Sequence, residues 1–518
     1  MSTLSRLAKS FWITTTVIGV VVIAIVLGRF ATPIPGGFLA TKTPVTSGES
    51  KTSASSKEKI KIRWLVDNYG ILGGSYPQLP AREKVVADFN ASQDEIELVI
   101  ELVDDLHIDT WETMIAYGTA PDIVTPPVSS AHVTYGQWLD LTPYIESTGF
   151  DTSIYNPALT DLYQIEEGQV GLPFQVFPSA IYYVPAMFDK AGLAYPPKAY
   201  GEKYTLDGTA VDWSWDTLAE VAKRLTIDVN GKNATEAGFD ATQIVQIGFS
   251  PQWQTHVAYQ ASYIAGAADI VEGEEGNYTS AIPDSWKEAN KWVYDGMWGE
   301  QPFIATGLLA SDPEFGNGNL FGSGKAAMAL SPLWYACCLE AFRDAGFEFD
   351  AGVMPVGADG QIHGRVDGDT FRIWKGTPHP EEAFKALAYL IGPEGIQTLL
   401  LGGDEVAPDS IWYGLPANPE FQQPYIDDLL EKYPFTTAET WDVFLAGLSY
   451  PDTPSAEQWQ PNWSEAWARE QAFFDLIQNT PLDRLEFDAE WQKMVDDLNQ
   501  IYGKCKSLTD QFYGGCNN

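Results

Sequence analysis

The chain has 518 residues, of which 45% are hydrophobic, and this length suits two or three folded domains. It carries 31 Lys and Arg against 70 Asp and Glu, a formal net charge of −39. That excess argues against a nucleic-acid partner, because phosphate recognition depends on basic patches.

The N-terminal sequence predicts an export signal followed by a linker. Residues 11–28 form an uncharged apolar run with basic residues on both sides. Its length is near the lower limit for spanning a bilayer, so it predicts an uncleaved anchor or a cleaved signal peptide. We favour the anchor, with residues 1–10 as a cytoplasmic tip; both alternatives export the chain. Residues 29–59, rich in Ser, Thr, Pro, Gly and Lys, predict a flexible tether.

The segment after the tether alternates between strand and helix patterns. Strands are predicted at 60–66, 96–103 and 122–124, and helices at 81–91 and 109–117. This order implies parallel strand pairing and an α/β lobe. Further along, helices are predicted at 214–225, with Ser214 as the N-cap, and at 380–391.

No catalytic motif is complete in the sequence. GSGKA (322–326) lacks the Ser or Thr of a phosphate-binding loop, and GNGNLFG (316–322) has Phe321 where a dinucleotide fingerprint needs glycine. The five histidines form no H-E-x-x-H motif, and no G-x-S-x-G is present. Paired carboxylates for glycoside hydrolysis stay open among the acidic residues. We predict a protein that is not an enzyme and has no cofactor and no metal site.

Seven segments follow one another in the order and spacing of a known family. They are GTAPDIV (118–124), WLDLTPYI (138–145), GLPFQVFPSAIYYVPAMFDKAGL (171–193), SWDTLAEVAKRLT (214–226), FGSGKAAMALSPLW (321–334), GVMPVG (352–357) and HPEEAFKALAYLIGPEGIQ (379–397). From about residue 60 to about 502, the chain resembles the family 1 extracellular solute-binding proteins, the sugar-capturing components of ABC importers and relatives of maltose-binding protein. It departs from the family pattern at 125–127 and at 182–186, which bears on individual contacts.

The resemblance implies an α/β, two-lobed periplasmic-binding-protein-like fold of type II, with the ligand cleft between the lobes. Lobe 1 would hold 60–174 and 366–437, and lobe 2 would hold 175–365 and 438–518. The implied function is capture of a carbohydrate by hinge closure and its delivery to ABC transporter permease subunits. The protein would act as an extracytoplasmic monomer, tethered to the membrane or secreted. The alternatives are a secreted glycan-active enzyme and a sugar-sensing ectodomain.

The resemblance also implies which residues line the cleft. A sugar needs aromatic rings against its apolar C–H faces and polar side chains for its hydroxyls. The implied substrate-binding residues are Asn68, Tyr69, Ser129, Phe174, Gln175, Phe177, Trp253, Trp334, Tyr335, Arg365, Asp367, Asp369, Trp459 and Trp463. For Asp367 and Asp369, a purely local turn-capping role stays open.

The four cysteines fall into two groups. Cys505 and Cys516 flank a short polar segment with two glycines before Cys516, so we predict a disulfide between them in an oxidising compartment. The sequence leaves open whether the adjacent Cys337 and Cys338 form a vicinal disulfide or pack as buried thiols.

Overall fold

The computed structural model describes residues 58–67, 78–103, 113–124, 137–165, 168–274, 276–339, 346–402, 406 and 414–505, and the backbone of 511–512 and 515–516. The tip, the apolar run and nearly all of the tether lie outside the described residues, as do Asn68, Tyr69 and Ser129. Among the helices of the described ranges, none is long and apolar enough to cross a membrane.

The described chain alternates strands and helices along most of its length. The strands are β1 Ile60–Asp67, β2 Ile96–Val103, β3 Ile123–Val124, β4 Gln164–Ile165, β5 Gly168–Gln169, β6 Gln175–Tyr183, β7 Lys203–Leu206, β8 Thr209–Asp212, β9 Ile227–Asp228, β10 Ile244–Ser250, β11 Val271–Glu274, β12 Asn277–Ser280, β13 Ala326–Pro332, β14 Asp350–Gly352, β15 Val366–Asp369, β16 Arg372–Ile373, β17 Leu415–Pro416, β18 Gln511–Phe512 and β19 Gly515–Cys516. The α-helices are α1 Leu79–Ser92, α2 Thr142–Thr148, α3 Pro157–Asp161, α4 Pro185–Ala191, α5 Trp215–Leu225, α6 Val257–Ala265, α7 Asp284–Trp298, α8 Gly307–Ala310, α9 Pro380–Leu390, α10 Pro393–Leu399, α11 Gln422–Lys432, α12 Ala438–Gly447, α13 Trp463–Asn479 and α14 Phe487–Tyr502.

The first sheet has the strand order β16-β3-β1-β2. β1 pairs in parallel with both β2 and β3, as the strand–helix–strand pattern predicted, and β16 adds an antiparallel edge. α1 covers the predicted helix, whereas only 113–116 are helical in the described part of 109–117. The core of this sheet includes Trp64, whose ring meets Phe371 edge-on at 5.6 Å.

The second sheet has the order β14-β6-β13-β10-β9, with β15 and β17 also paired to β6. β10 and β13 are parallel, and β6 runs antiparallel to β13, β14, β15 and β17. Every residue of β6 and β13 is buried, which agrees with their mainly apolar sequences. α5 begins after Ser214, whose side chain accepts the Thr217 N–H as the predicted N-cap.

The chain passes between the two sheets where β6 and β15 pair. Gln175 lies opposite Asp369, and Phe177 lies opposite Asp367. After β15 the chain enters β16 of the first sheet, and the Phe174 N–H donates to the Asp369 carbonyl oxygen at 3.2 Å. The paired strands therefore form a short two-stranded connection beside the second sheet. The buried side chains of α11 and α12 belong to the core of the second sheet, and the exact lobe boundaries stay a prediction.

Candidate functional site

Two tryptophans meet at one edge of the second sheet. Trp253 follows β10 and Trp334 follows β13. Because these strands are parallel neighbours, their carboxyl ends lie at the same edge. The two indoles are stacked, with ring centroids 6.0 Å apart and planes inclined by 13°. This pair is the aromatic half of the candidate site.

Trp253 adopts a backbone conformation that is unfavourable for a tryptophan. Its φ is 57°, in the left-handed region that costs a non-glycine residue about 1–2 kcal/mol. The indole Nε1 donates to the Gly318 carbonyl oxygen at 2.9 Å, and the ring meets Tyr335 edge-on at 5.3 Å. Trp253 is nevertheless 41% exposed. A strained, anchored and exposed aromatic residue points to a functional surface.

A buried arginine lies beside the tryptophan pair. Arg365 is 3% exposed, and its Nη2 lies 2.6 Å from Asp367 Oδ1 and 2.9 Å from Glu457 Oε1. Its Nη1 donates to Gln254 Oε1 at 2.7 Å. The guanidinium lies over the Tyr259 ring, 4.0 Å from the centroid, and the Tyr259 hydroxyl donates to Glu457 Oε1. The arginine thus organises the polar half of the site.

Asp367 connects the arginine to the tryptophan pair. Trp334 Nε1 donates to Asp367 Oδ2 at 3.0 Å, and Asp367 Oδ1 pairs with Arg365. Each carboxylate oxygen therefore has a partner within the protein. Burial raises the pKa of Asp367 to about 6, against the opposing effect of Arg365. Burial also raises the pKa of Asp452, whose Oδ2 lies 4.0 Å from Arg365 Nε. With Glu457, the Arg365 guanidinium faces three carboxyl groups among the described residues.

A second aromatic stack comes from the N-terminal end of α13. Trp463 and Trp467 are stacked with centroids 5.1 Å apart, and the Trp467 ring lies 3.7 Å from that of His256. Tyr259 meets Trp467 edge-on at 5.4 Å, which links this stack to the arginine. Trp463 packs against the hydrophobic cluster that contains Leu65 of the first sheet. The site therefore lies where elements of both sheets approach.

Two buried titratable groups lie behind this second stack. His256 Nδ1 accepts the Ala258 N–H, which assigns the ring proton to Nε2, 3.3 Å from the Trp467 carbonyl oxygen. Burial lowers the pKa of His256 to about 3. Glu470 is fully buried with Oε2 3.8 Å from His256 Nε2, and burial raises its pKa to about 8. Both groups are therefore predominantly uncharged at neutral pH, so neither needs a counter-ion beneath the site.

The structure brings one group of predicted site residues together. This group contains Trp253, Trp334, Tyr335, Arg365 and Asp367. Trp463 approaches it through Trp467, which the sequence analysis did not single out.

The other predicted residues have different surroundings. Phe174 is fully buried in the core of the first sheet, and Phe177 is buried in the core of the second. Gln175 donates to Asp369 Oδ2 at 2.7 Å across the paired strands β6 and β15. The Trp459 ring meets Tyr278 edge-on at 5.3 Å. Whether any of these residues contacts a ligand stays a prediction.

Sequence reasoning missed several members of the cluster. Gln254 directly follows Trp253, and Trp467 lies one helical turn after Trp463. Both residues could therefore have been predicted from their spacing to residues already assigned to the site. Tyr259 and Glu457 are distant in sequence, and no local pattern indicates that they meet at Arg365.

The four cysteines have different surroundings. Cys505 is buried and disulfide-bonded, and Cys337 and Cys338 are thiols. The side chain of Cys516 is outside the described residues, so its pairing with Cys505 stays a prediction. Throughout the described ranges, no three His, Cys, Asp or Glu side chains are grouped to hold a metal ion.

The comparison with protein families agrees with this architecture. The sequence profile of the family described as "Bacterial extracellular solute-binding protein" matches residues 74–397, more than half of the chain. The chain belongs to this family. The resemblance predicted from the seven segments is confirmed, and membership places the protein outside the cytoplasm. No curated protein sequence matches the chain.

Solved structures share the fold of this solute-binding protein. An ABC substrate-binding protein from Listeria monocytogenes in complex with cycloalternan is 20% identical, with a TM-score of 0.61, covering 86% of this chain and 100% of that chain. UspC of M. tuberculosis is 19% identical with a TM-score of 0.62, covering 85% and 100%. Maltose-bound MalE3 of T. maritima is 17% identical with a TM-score of 0.56, covering 85% and 100%. The predicted α/β, two-lobed periplasmic-binding-protein-like fold is confirmed.

Proposed function

We propose that this solute-binding protein captures a carbohydrate and delivers it to the permease subunits of an ABC importer. One observation carries the proposal: the stacked Trp253–Trp334 pair is joined through Trp334 Nε1 to Asp367, which is paired with Arg365. Aromatic surface beside buried, hydrogen-bonded polar groups suits a ligand with apolar C–H faces and a rim of hydroxyls. The structural neighbours solved with cycloalternan and with maltose support the same ligand class.

Capture takes place by closure of two lobes about a hinge. Lobe 1 is built on the first sheet, with proposed bounds of 60–174 and 366–437, and lobe 2 is built on the second, with proposed bounds of 175–365 and 438–518. Within these bounds, α11 packs in the core of the second sheet. The pairing of β6 with β15, where the chain passes between the sheets, supports a hinge at this connection. The ligand stabilises the closed form because it contacts both lobes, and the closed form docks on the permease.

The protein works as a monomer beside the membrane and releases its ligand unchanged. The apolar run 11–28 anchors it, and the tether lets the binding domain reach the permease. Binding needs no chemical step, so a sugar recovered from the complex after incubation should be intact. A product with new reducing ends would instead support the glycan-active enzyme.

The first experiment is a thermal-shift screen over neutral mono- and oligosaccharides. A sugar present at 100 times its Kd adds about 2.7 kcal/mol to the free energy of unfolding, enough to raise the melting temperature measurably. A reproducible rise with at least one carbohydrate is expected. If no carbohydrate raises the melting temperature, the proposal is wrong.

The second experiment places the ligand at the described site. Trp334→Ala and Trp253→Ala should each weaken binding of the sugar found in the screen by roughly 1–3 kcal/mol, the scale of a lost aromatic contact. Tyr117→Ala removes an 80% exposed ring elsewhere on the surface and should leave the affinity unchanged. Equal affinities for all of these variants by calorimetry would contradict the site assignment.

A further inference from the structure

The guanidinium of Arg365 is already paired with other side chains of this protein. Its two Nη atoms contact Gln254, Asp367 and Glu457, and the Tyr259 ring covers one face. It is 3% exposed. An anionic ligand group would have to displace a buried ion pair, which is strongly unfavourable. Arg365 is therefore a poor receptor for a carboxylate or phosphate on a ligand.

Two carboxylates supply partly exposed polar surface beside Arg365. The side chains of Asp367 and Glu457 are 23% and 22% exposed, against 3% for Arg365. A carboxylate accepts hydrogen bonds and cannot donate them, so a ligand that meets these groups must bring N–H or O–H donors. An ammonium group brings both donors and the opposite charge.

Among the described side chains of the cluster, carboxyl groups outnumber guanidinium groups. Besides Arg365, the nearby Arg372 interacts electrostatically with Asp369 and with Glu457, and it is 1% exposed. In the part of the chain that the structure describes, two guanidinium groups thus face four carboxyl groups, since Asp367 and Asp452 belong to the same cluster. The exposed indole of Trp253 adds an aromatic face, which also attracts cations.

We infer that the site selects carbohydrates carrying a positively charged amino group over neutral sugars, and disfavours uronates. This inference rests on the proposed function and names the substrate class of the same site. The amino group would lie against the partly exposed carboxylates of Asp367 and Glu457, while a sugar ring packs on the tryptophan pair. A uronate would place its charge against the same carboxylates and be repelled.

The test compares matched sugars on the full-length chain at pH 7. Glucose, galactose and mannose are each supplied as the neutral sugar, the 2-amino sugar, the N-acetylated amino sugar and the uronate. The β-1,4-linked tetramers of glucose and glucosamine extend the glucose series. Amino groups of this kind are mainly protonated at pH 7. In each series that contains a sugar raising the melting temperature of the protein, the amino sugar should bind about tenfold more tightly than the neutral sugar.

Two comparisons separate charge from shape. The N-acetylated sugar keeps the nitrogen but loses the charge, so its affinity should fall back to that of the neutral sugar or below it. Asp367→Asn should reduce the ratio of amino-sugar to neutral-sugar affinity. Asp94→Asn, which removes an exposed carboxylate before β2, should preserve that ratio.

Each outcome bears on the inference. If the neutral sugar or the uronate binds as tightly as the amino sugar, the inference is wrong and the proposed function stands. If no sugar in any series changes the melting temperature, both are wrong. A ratio in Asp367→Asn equal to that of the wild type would also overturn the inference.

Discussion

The buried carboxyl of Glu470 makes a quantitative prediction about stability. Burial raises its pKa from 4.5 to about 8. Between these values the folded protein holds a proton that the unfolded chain has released. Each pH unit in this window therefore lowers the free energy of unfolding by about 1.4 kcal/mol.

His256 acts in the opposite direction over a lower window. Burial lowers its pKa from 6.5 to about 3, so between these values the unfolded chain binds the extra proton. Its contribution to the free energy of unfolding rises with pH up to 6.5 and is complete above that. The two effects nearly cancel between pH 4.5 and 6.5, and from pH 6.5 to 8 only the effect of Glu470 remains. Over that interval it amounts to about 2 kcal/mol.

The variant Glu470→Gln isolates this effect, because it keeps the shape of the side chain and removes the ionisable group. Urea unfolding followed by tryptophan fluorescence at pH 6.5, 7, 7.5 and 8 gives the free energy for both proteins. The wild type should lose about 2 kcal/mol relative to Glu470→Gln between pH 6.5 and 8. Glu465→Gln, an exposed change on the same helix, controls for the loss of one negative charge. Parallel pH curves for wild type and Glu470→Gln would refute the reasoning.

Further predictions concern the termini and the site. The chain without residues 1–59 should be monomeric by light scattering without detergent, because the long apolar run is gone; aggregation that only detergent relieves would contradict this. Peptide mapping without reductant should find Cys505 joined to Cys516, and a link from either to Cys337 or Cys338 would refute the pairing. Trp253→Gly should relieve the left-handed backbone strain but lose the stacked ring, so calorimetry should still show weakened sugar binding.

Much of the fold could be predicted because the signals for it are local or ordered along the chain. The alternating strands and helices after residue 60 predicted the parallel pairing of β1, β2 and β3. The resemblance to the family assigned Trp253 and Trp334 to one site, and the structure stacks their rings. Both tryptophans follow strands that are parallel neighbours, so the topology explains why they meet.

The rest of the site depends on contacts that leave no pattern in the sequence. Glu457 lies in the segment before α13, accepts a hydrogen bond from Tyr259 of α6, and meets Arg365, 92 positions away in the sequence. Glu470 lies in the amphipathic sequence of α13 with other charged residues, yet it is fully buried beside His256. Its uncharged state at neutral pH follows from its surroundings and not from its position in the sequence.

Small-angle X-ray scattering of the wild type and of Trp334→Ala tests the central claim most directly. The measurement uses the sugar found in the screen, at a concentration that saturates the wild type and leaves the weakened variant mostly unliganded. Capture between the lobes predicts a smaller radius of gyration for the wild type with sugar, and no change for Trp334→Ala at the same concentration. A wild-type profile that stays unchanged at saturation, or equal compaction of both proteins, would contradict the account.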